Sequence, residues 1–271
     1  MPVEFVHDIH DPRLSPFAGM RDAQLRGDEG AGPGLFIGES EKVINRALDA
    51  GVQPVSLFLE EKWLPKTDPL IRRIADIDPA LSVLVADKHD FQAVTGYEVT
   101  RGAVAALRRP ALPAARALLA DAHRIVVLED VMNATNIGAT FRSAAALGMD
   151  AVLLNSRSHD PLYRRAARVS MGTIFQVPWT RVEDDFVSLL HECGFCVVAM
   201  ALTPEALPLD DGRLRGHDRL ALVMGNEQNG IAPRTLAACD HAAVIPMAHG
   251  VDSLNVAAAS AVAFWELRRK R

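Results

Sequence analysis

Cysteine is nearly missing from this sequence, with three in 271 residues. A disulfide framework is thereby excluded, and a reducing, cytoplasmic home is expected. Long apolar runs are missing too. None reaches the roughly 20 residues that span a bilayer, so no membrane partner is expected. The first eight residues, Met1 to Asp8, lack the basic start and apolar stretch of a signal peptide. An excess of positive charge is also absent. The formal net charge of −5 argues against a uniformly basic nucleic-acid coat, though not against a local basic face. Lysine is scarce, so arginine carries most of the cationic charge, and arginine suits bidentate phosphate contacts. Clusters lie at Arg101, Arg108 and Arg109, at Arg157, Arg164, Arg165 and Arg168, and in the tail from Arg268 to Arg271. Taken singly, each cluster reads as solvated surface. No internal repeat is visible.

What is present is an alternation of strand-like and helix-like segments, long enough for two domains. Leu35–Ile37 reads as a strand. Val43, Ile44, Ala47 and Leu48 share one face of a helix that starts after Ser40 and closes at Gly51. Val55–Leu59 is the next strand, Leu70–Ile77 a helix, and Leu81–Val85 a strand. A short helix over Lys88–Val94 and a strand at Gly102–Leu107 complete an α/β module of roughly 100 residues. Proline punctuation at Pro110 and Pro113 places a linker at 110–120 between domains 1–109 and 121–271. The alternative makes 114–122 the first helix of the second domain.

The second half alternates more cleanly. Strands are expected at Ile125–Glu129, Ala151–Asn155, Ile174–Val177, Phe195–Ala201, Leu220–Met224 and Ala242–Ile245. Helices are expected at Ile137–Leu147, Pro161–Val169, Phe186–His191 and Ala232–Ala238. A long last helix, Leu254–Arg269, is capped by Ser253. This pattern implies an α/β fold with a mostly parallel sheet.

Three segments put polar residues and glycines at the ends of apolar runs, where α/β proteins bind ligands. In the first, Asn133 and Asn136 precede Gly138, and Arg142 follows at i+4 spacing, aimed at the same mouth. An arginine beside asparagines suits a phosphate or ribose; the plainer reading is a surface arginine near a well-capped helix. In the second, Gly225, Asn226 and Gly230 form a loop that brings backbone N–H groups near a ligand, or simply a structural turn. Glu227 is its only acid, placed to orient an arginine or to cap the following helix. In the third, Ile245-Pro-Met247 is followed by Ser253 and Asn255 at a helix start that favours an anion, or by an ordinary serine cap.

Two other signals are weaker. Cys193 and Cys196, with Cys239 and His241, have a zinc-like spacing, but no second Cys-x-x-Cys follows, so the thiols read as core and no metal is expected. The run Gly30–Gly34 is glycine-rich but precedes a strand, which makes it a loop and not a dinucleotide fingerprint.

Together the three segments resemble the motifs of the SpoU/TrmH branch of the SPOUT methyltransferases. Residues 133–142 follow Asn-x-x-Asn-x-Gly-x-x-x-Arg. Residues 225–231 are similar to Gly-Asn-Glu-Gly-x-Gly-Ile, with Gln228 where the family commonly has glycine. Residues 245–247 and 253–256 match Ile-Pro-Met and Ser-Leu-Asn-Val. Ser170-Met-Gly172 is similar to the family's Ser-x-Gly turn. Residues 2–109 resemble, more weakly, the L30e/L7Ae-like RNA-binding module. The resemblance implies transfer of a methyl group from S-adenosylmethionine to a ribose 2′-hydroxyl of RNA, in a domain with a deep C-terminal trefoil knot. It implies a homodimer through that domain. Leu202, Gly225, Ile245, Met247 and Leu254 would hold the donor. Arg142 would act at the ribose, with Asn136, Glu227, Ser253 and Asn255 around it. Ribosomal RNA is the expected substrate. A transfer RNA enzyme and a non-catalytic RNA-binding protein are the alternatives.

Overall fold

A computed structural model describes residues 1–18, 25–26, 34–96, 98–99 and 102–269. Gly30 to Pro33, Tyr97, Arg101 and the last two residues of the basic tail lie outside the described residues. The chain forms two compact units. The first is Met1–Ala111 with Leu162–Phe175, and the second is Leu112–Pro161 with Gln176–Arg271.

The first unit holds a five-stranded mixed sheet. Its strands are β1 (Val3–Phe5), β2 (Leu35–Glu39), β3 (Pro54–Glu60), β4 (Val83–Ala86) and β5 (Ala103–Arg108), in the spatial order β1-β4-β3-β5-β2. β1 and β3 pair parallel to β4, while β5 runs antiparallel to β2 and β3. Strand β1 was not expected, because three residues carry no period. The helix Glu41–Asp49 buries Val43, Ile44, Ala47 and Leu48, the four residues its spacing selects. The helix expected over 70–77 runs from Leu64 to Ile77. Pro65 occupies its first turn, where a missing N–H costs nothing, and Pro69 is taken inside.

One charged contact sits in this unit's interior. Glu39, at the end of β2, is 2 % exposed. Arg168 donates to its Oε2 at 3.2 Å, and Arg164 lies 3.6 Å from Oε1. These two members of the arginine cluster therefore meet a buried carboxylate, where solvated surface was expected. Burial pushes the Glu39 carboxyl above its ordinary value, against the pull of Arg168 and Arg164. Gly172 ends this stretch at φ +81°. A Cβ there would lie 3.1 Å from Val43 Cα, so the close approach and the conformation both call for glycine.

The second unit holds seven strands: β6 (Arg124–Leu128), β7 (Ala151–Asn155), β8 (Trp179–Val182), β9 (Cys196–Met200), β10 (Leu207–Pro208), β11 (Leu220–Met224) and β12 (His241–Val244). Their order is β10-β12-β9-β11-β6-β7-β8, and every pairing is parallel. β6, β7 and β11 are buried at all five positions, as strands covered on both faces must be.

The core gathers Leu119, Ile125, Leu153, Phe186, Leu190, Val197 and Val223. Leu119 lies on the helix Ala115–Leu119, so the expected linker at 110–120 is corrected. The second unit begins at Leu112, and this short helix belongs to it. A second correction concerns Ile174–Val177. Thr173–Phe175 is one 3₁₀ turn, and the strand is Trp179–Val182. Ile174 and Val177 are buried as their character demands, but Pro178 interrupts the run, and pairing begins only after it.

Candidate active site

A cavity of about 650 Å³ opens at the carboxyl ends of β9, β11 and β12. Ligand pockets span roughly 300–1,000 Å³. Its walls come from three segments: Met200–Thr203 after β9, Met224–Ile231 after β11, and Ala243–Ile245 with Met247 and Asp252–Val256 around the start of the last helix. Leu202, Gly225, Glu227, Ile245, Met247, Ser253, Leu254 and Asn255 all line it, so eight of the ten expected site residues meet there.

The loop after β11 is shaped by its own backbone. Asn226 N donates to Gly230 O at 2.9 Å, and Gly230 N returns a bond at 3.0 Å. Asn226 Oδ1 accepts from Gln228 N and Asn229 N at 2.9 and 3.0 Å. A Cβ on Gly225 would stand 2.4 Å from the carbonyl carbon of Gly230, so the two arms approach too closely for any other residue. Gly230 takes the left-handed conformation at φ +67°. Position 228 does not, which is why glutamine is accommodated where the related motifs carry glycine. Asn226 Nδ2 also donates to Asp130 O at 2.7 Å. Asp130 itself sits at φ +56° and is braced through its side chain by Asn155 and Arg157. Nothing in the spacing of the sequence foretold this brace.

Asn136 joins the loop to the last helix. It lies in the first turn of the helix Ala134–Leu147, which Asn133 caps by accepting from Thr135 N and Asn136 N. Its Nδ2 donates to Glu227 Oε1 at 2.7 Å, and its Oδ1 accepts from Asn255 Nδ2 at 3.0 Å. Among the described residues Glu227 neither caps a helix nor meets an arginine, the two roles its sequence position had suggested. The cap of the last helix, Val256–Leu267, is Asn255, whose Oδ1 accepts from Ala257 N at 3.0 Å. Ser253 lines the cavity two residues earlier and is not the cap. Both residue types cap well, so local preference could not separate them.

Arg142 is not among the lining residues. It is exposed, and among the described residues its side chain has neither hydrogen bond nor ion pair. Six residues at about 100° each turn it roughly 120° around the helix from Asn136. The i+4 relation to Gly138 is intact, but it does not aim the guanidinium at this cavity within one chain.

The cavity fits S-adenosylmethionine. Leu202, Ile245 and Leu254 offer apolar walls for an adenine. Gly225, Glu227, Ser253 and Asn255 add backbone and polar side chains to the same lining.

The SpoU rRNA Methylase family model matches residues 123–265, which contain all three segments. The chain belongs to this family. It is similar to an uncharacterized tRNA/rRNA methyltransferase of Mycobacterium tuberculosis, 37% identical over 277 residues and covering 99% of this chain and 93% of the relative. The 23S rRNA (guanosine-2′-O-)-methyltransferase RlmB of Acinetobacter baylyi is 31% identical over 216 residues, covering 76% and 86%. The AdoMet-bound rRNA methyltransferase of Sinorhizobium meliloti shares the fold, with a TM-score of 0.80 at 24% identity, covering 98% of this chain and 97% of that one. The protein is an S-adenosylmethionine-dependent RNA methyltransferase.

Proposed function

We propose that this protein methylates a ribose 2′-hydroxyl of ribosomal RNA as a homodimer, with the donor held in the cavity after β9, β11 and β12. One observation carries the reading: the bridge Glu227–Asn136–Asn255 at the polar wall of that cavity. When bound, S-adenosylmethionine supplies an electrophilic methyl group on a positively charged sulfur.

The chain's own part is to align the two reactants. Gly225, Ile245, Met247, Leu202 and Leu254 hold the donor against backbone and apolar side chains. Asn255 spends its carbonyl on the helix start and its amide on Asn136, and Asn136 in turn presents its amide to Glu227. This chain of bonds fixes the orientation of the Glu227 carboxylate beside the ribose. Ser253, exposed on the same wall, is the neighbouring polar contact.

Arg142 reaches the ribose of the partner protomer's site. A guanidinium is a planar fork of N–H donors with no acceptor, so its role is to stabilise the developing alkoxide or to position the adjacent phosphate, while the hydroxyl proton passes to solvent. Residues 1–109 form the RNA-binding module of this reading, the second unit carries the trefoil knot, and the cytoplasm is the place of action. Among the described residues no helix is long and apolar enough to cross a membrane.

Ribosomal RNA is preferred because the Acinetobacter relative is named for 23S rRNA, with a guanosine 2′-O position as its target. The test is a map of ribose methylation in ribosomal and transfer RNA from cells with and without the protein. Loss of one ribosomal mark is expected. Loss confined to transfer RNA would move the substrate, and donor binding with no mark lost from any RNA would favour a non-catalytic role.

A further inference from the structure

The amino end of the second unit's sheet carries a cluster that methyl transfer does not use. Cys196, His217 and His241 each offer one donor atom, and these three atoms lie within 4.8 Å of one another. They are far apart in the chain. Cys196 opens β9, His241 opens β12, and His217 stands in the loop before β11. The sequence showed Cys196 and His241 but gave no reason to add His217, which has no ligand-like spacing to either.

All three backbones are fixed without help from an ion. Cys196 N donates to Arg219 O at 3.0 Å. The buried Arg124 clamps the loop through its guanidinium, donating to His217 O at 2.9 Å and Asp218 O at 2.6 Å. His241 is held in register opposite Val198, and Asp240 beside it accepts from Val197 N at 2.7 Å. The donors therefore converge on rigid supports, which is what a metal site needs before the ion arrives.

We propose that Cys196, His217 and His241 form a three-ligand zinc site. Two imidazoles and a thiolate are the donor set that borderline-soft Zn²⁺ selects. Zinc bonds of about 2.0–2.3 Å would draw the donors closer than 4.8 Å by side-chain rotation alone. Both imidazoles bind in their neutral form. The Cys196 proton leaves to solvent as the sulfur–zinc bond forms. Burial pushes that thiol up to about 11, so without an ion it stays protonated. Asp240 is not among the converging donors, and its Oδ2 is engaged by Val197 N and by His191 Nε2 at 3.0 Å. Water completes the tetrahedron. The cluster lies at the amino ends of β9 and β12 and the donor cavity at their carboxyl ends, so the ion ties β9, β12 and the 209–219 crossover together and takes no part in methyl transfer.

The test is a Co²⁺ titration of the untagged full-length protein, followed by displacement with Zn²⁺. One equivalent with a thiolate-to-cobalt charge-transfer band is expected, and Zn²⁺ should abolish the band and raise the unfolding temperature. Cys196→Ser should remove the band. His217→Gln and His241→Gln should weaken binding at least as much as the about 10–100-fold seen when outer partners of a metal ligand are lost. Cys193→Ser should change nothing. His217 is on a loop, so its variant tests the site even if Cys196→Ser does not fold. No thiolate band at saturating Co²⁺, a band that survives Cys196→Ser, or an affinity indifferent to His217→Gln overturns the proposal.

Discussion

Asn136 and Glu227, 91 positions apart, are joined by a hydrogen bond of 2.7 Å. The bond ties the first helix after β6 to the loop after β11, and Asn136 extends it to Asn255 at the head of the last helix. Three segments that look like separate strand ends in the sequence are thus one polar unit.

That unit predicts a graded response at Asn136. A hydrogen bond to a charged group contributes about 1.5–3 kcal/mol, and each 1.36 kcal/mol is tenfold in rate. Asn136→Ala should lower kcat by about 10–100-fold with little change in donor affinity. Asn136→Asp should be worse, because it sets a carboxylate against Glu227. Steady-state kinetics with calorimetric donor binding will separate the two effects. An Asn136→Asp variant as active as wild type would remove Glu227 from the mechanism.

Gly225 should tolerate nothing larger. Gly225→Ala places a methyl 2.4 Å from the Gly230 carbonyl carbon, so the loop must open. Overpacking of this kind costs about 1–3 kcal/mol. Donor binding should fall steeply while the first unit is unaffected. Calorimetry with S-adenosylmethionine and a thermal unfolding curve will read both, and unchanged affinity would show that the ligand lies elsewhere.

Arg142 should separate activity from stability. It is exposed and has no side-chain partner among the described residues, so Arg142→Ala should shift stability by no more than about 0.5 kcal/mol. Methyl transfer should nevertheless be lost, and Arg142→Lys should not restore it if the planar fork matters. In a mixture with a donor-cavity variant such as Gly225→Ala, part of the activity should return, because each heterodimer holds one intact cavity and one intact arginine. No recovery in the mixture would argue for a site within one chain.

Glu39 gives the pH prediction. Its folded pKa is raised above 4.5 by burial, although Arg168 and Arg164 pull it down. The folded state therefore holds the proton more tightly than the unfolded chain. The stability this group contributes is complete below the unfolded value and is lost as pH rises through the folded one. Glu39→Gln removes the dependence. Relative to wild type, the variant should lose ground as pH falls from about 7 to about 4. Denaturant unfolding of both proteins across that range will show it, and the opposite slope would mean that the arginines outweigh burial.

The sequence was most legible where one physical rule acted alone. The helix Glu41–Asp49 buries the face its period picks out, and β7 and β11 coincide with the expected strands Ala151–Asn155 and Leu220–Met224. It was less legible where two rules competed. Ile174 and Val177 are apolar enough for a strand, but Pro178 delays pairing to Trp179. Ser253 and Asn255 are both good caps, and only the tertiary bond to Asn136 selects Asn255. At the candidate site the residue types were visible from the motifs. Their partners were not, since Asn136 meets Glu227 and Asn255 across 91 and 119 positions. Arg142 stands roughly 120° around its helix from Asn136 and outside the lining of the cavity of its own chain.

The allotment of Leu162–Phe175 to the first unit has a practical consequence. The polypeptide passes from one unit to the other three times, between 111 and 112, 161 and 162, and 175 and 176. No single scission divides the protein into two self-sufficient fragments. A gene truncated after Ala111 lacks the turn whose glycine abuts Val43 and the arginines that neutralise Glu39. Its complement carries that stretch with nothing to receive it. Expression of either half calls for excising 162–175 from one and grafting it onto the other, so the boundary between these units is a matter of splicing and not of cutting.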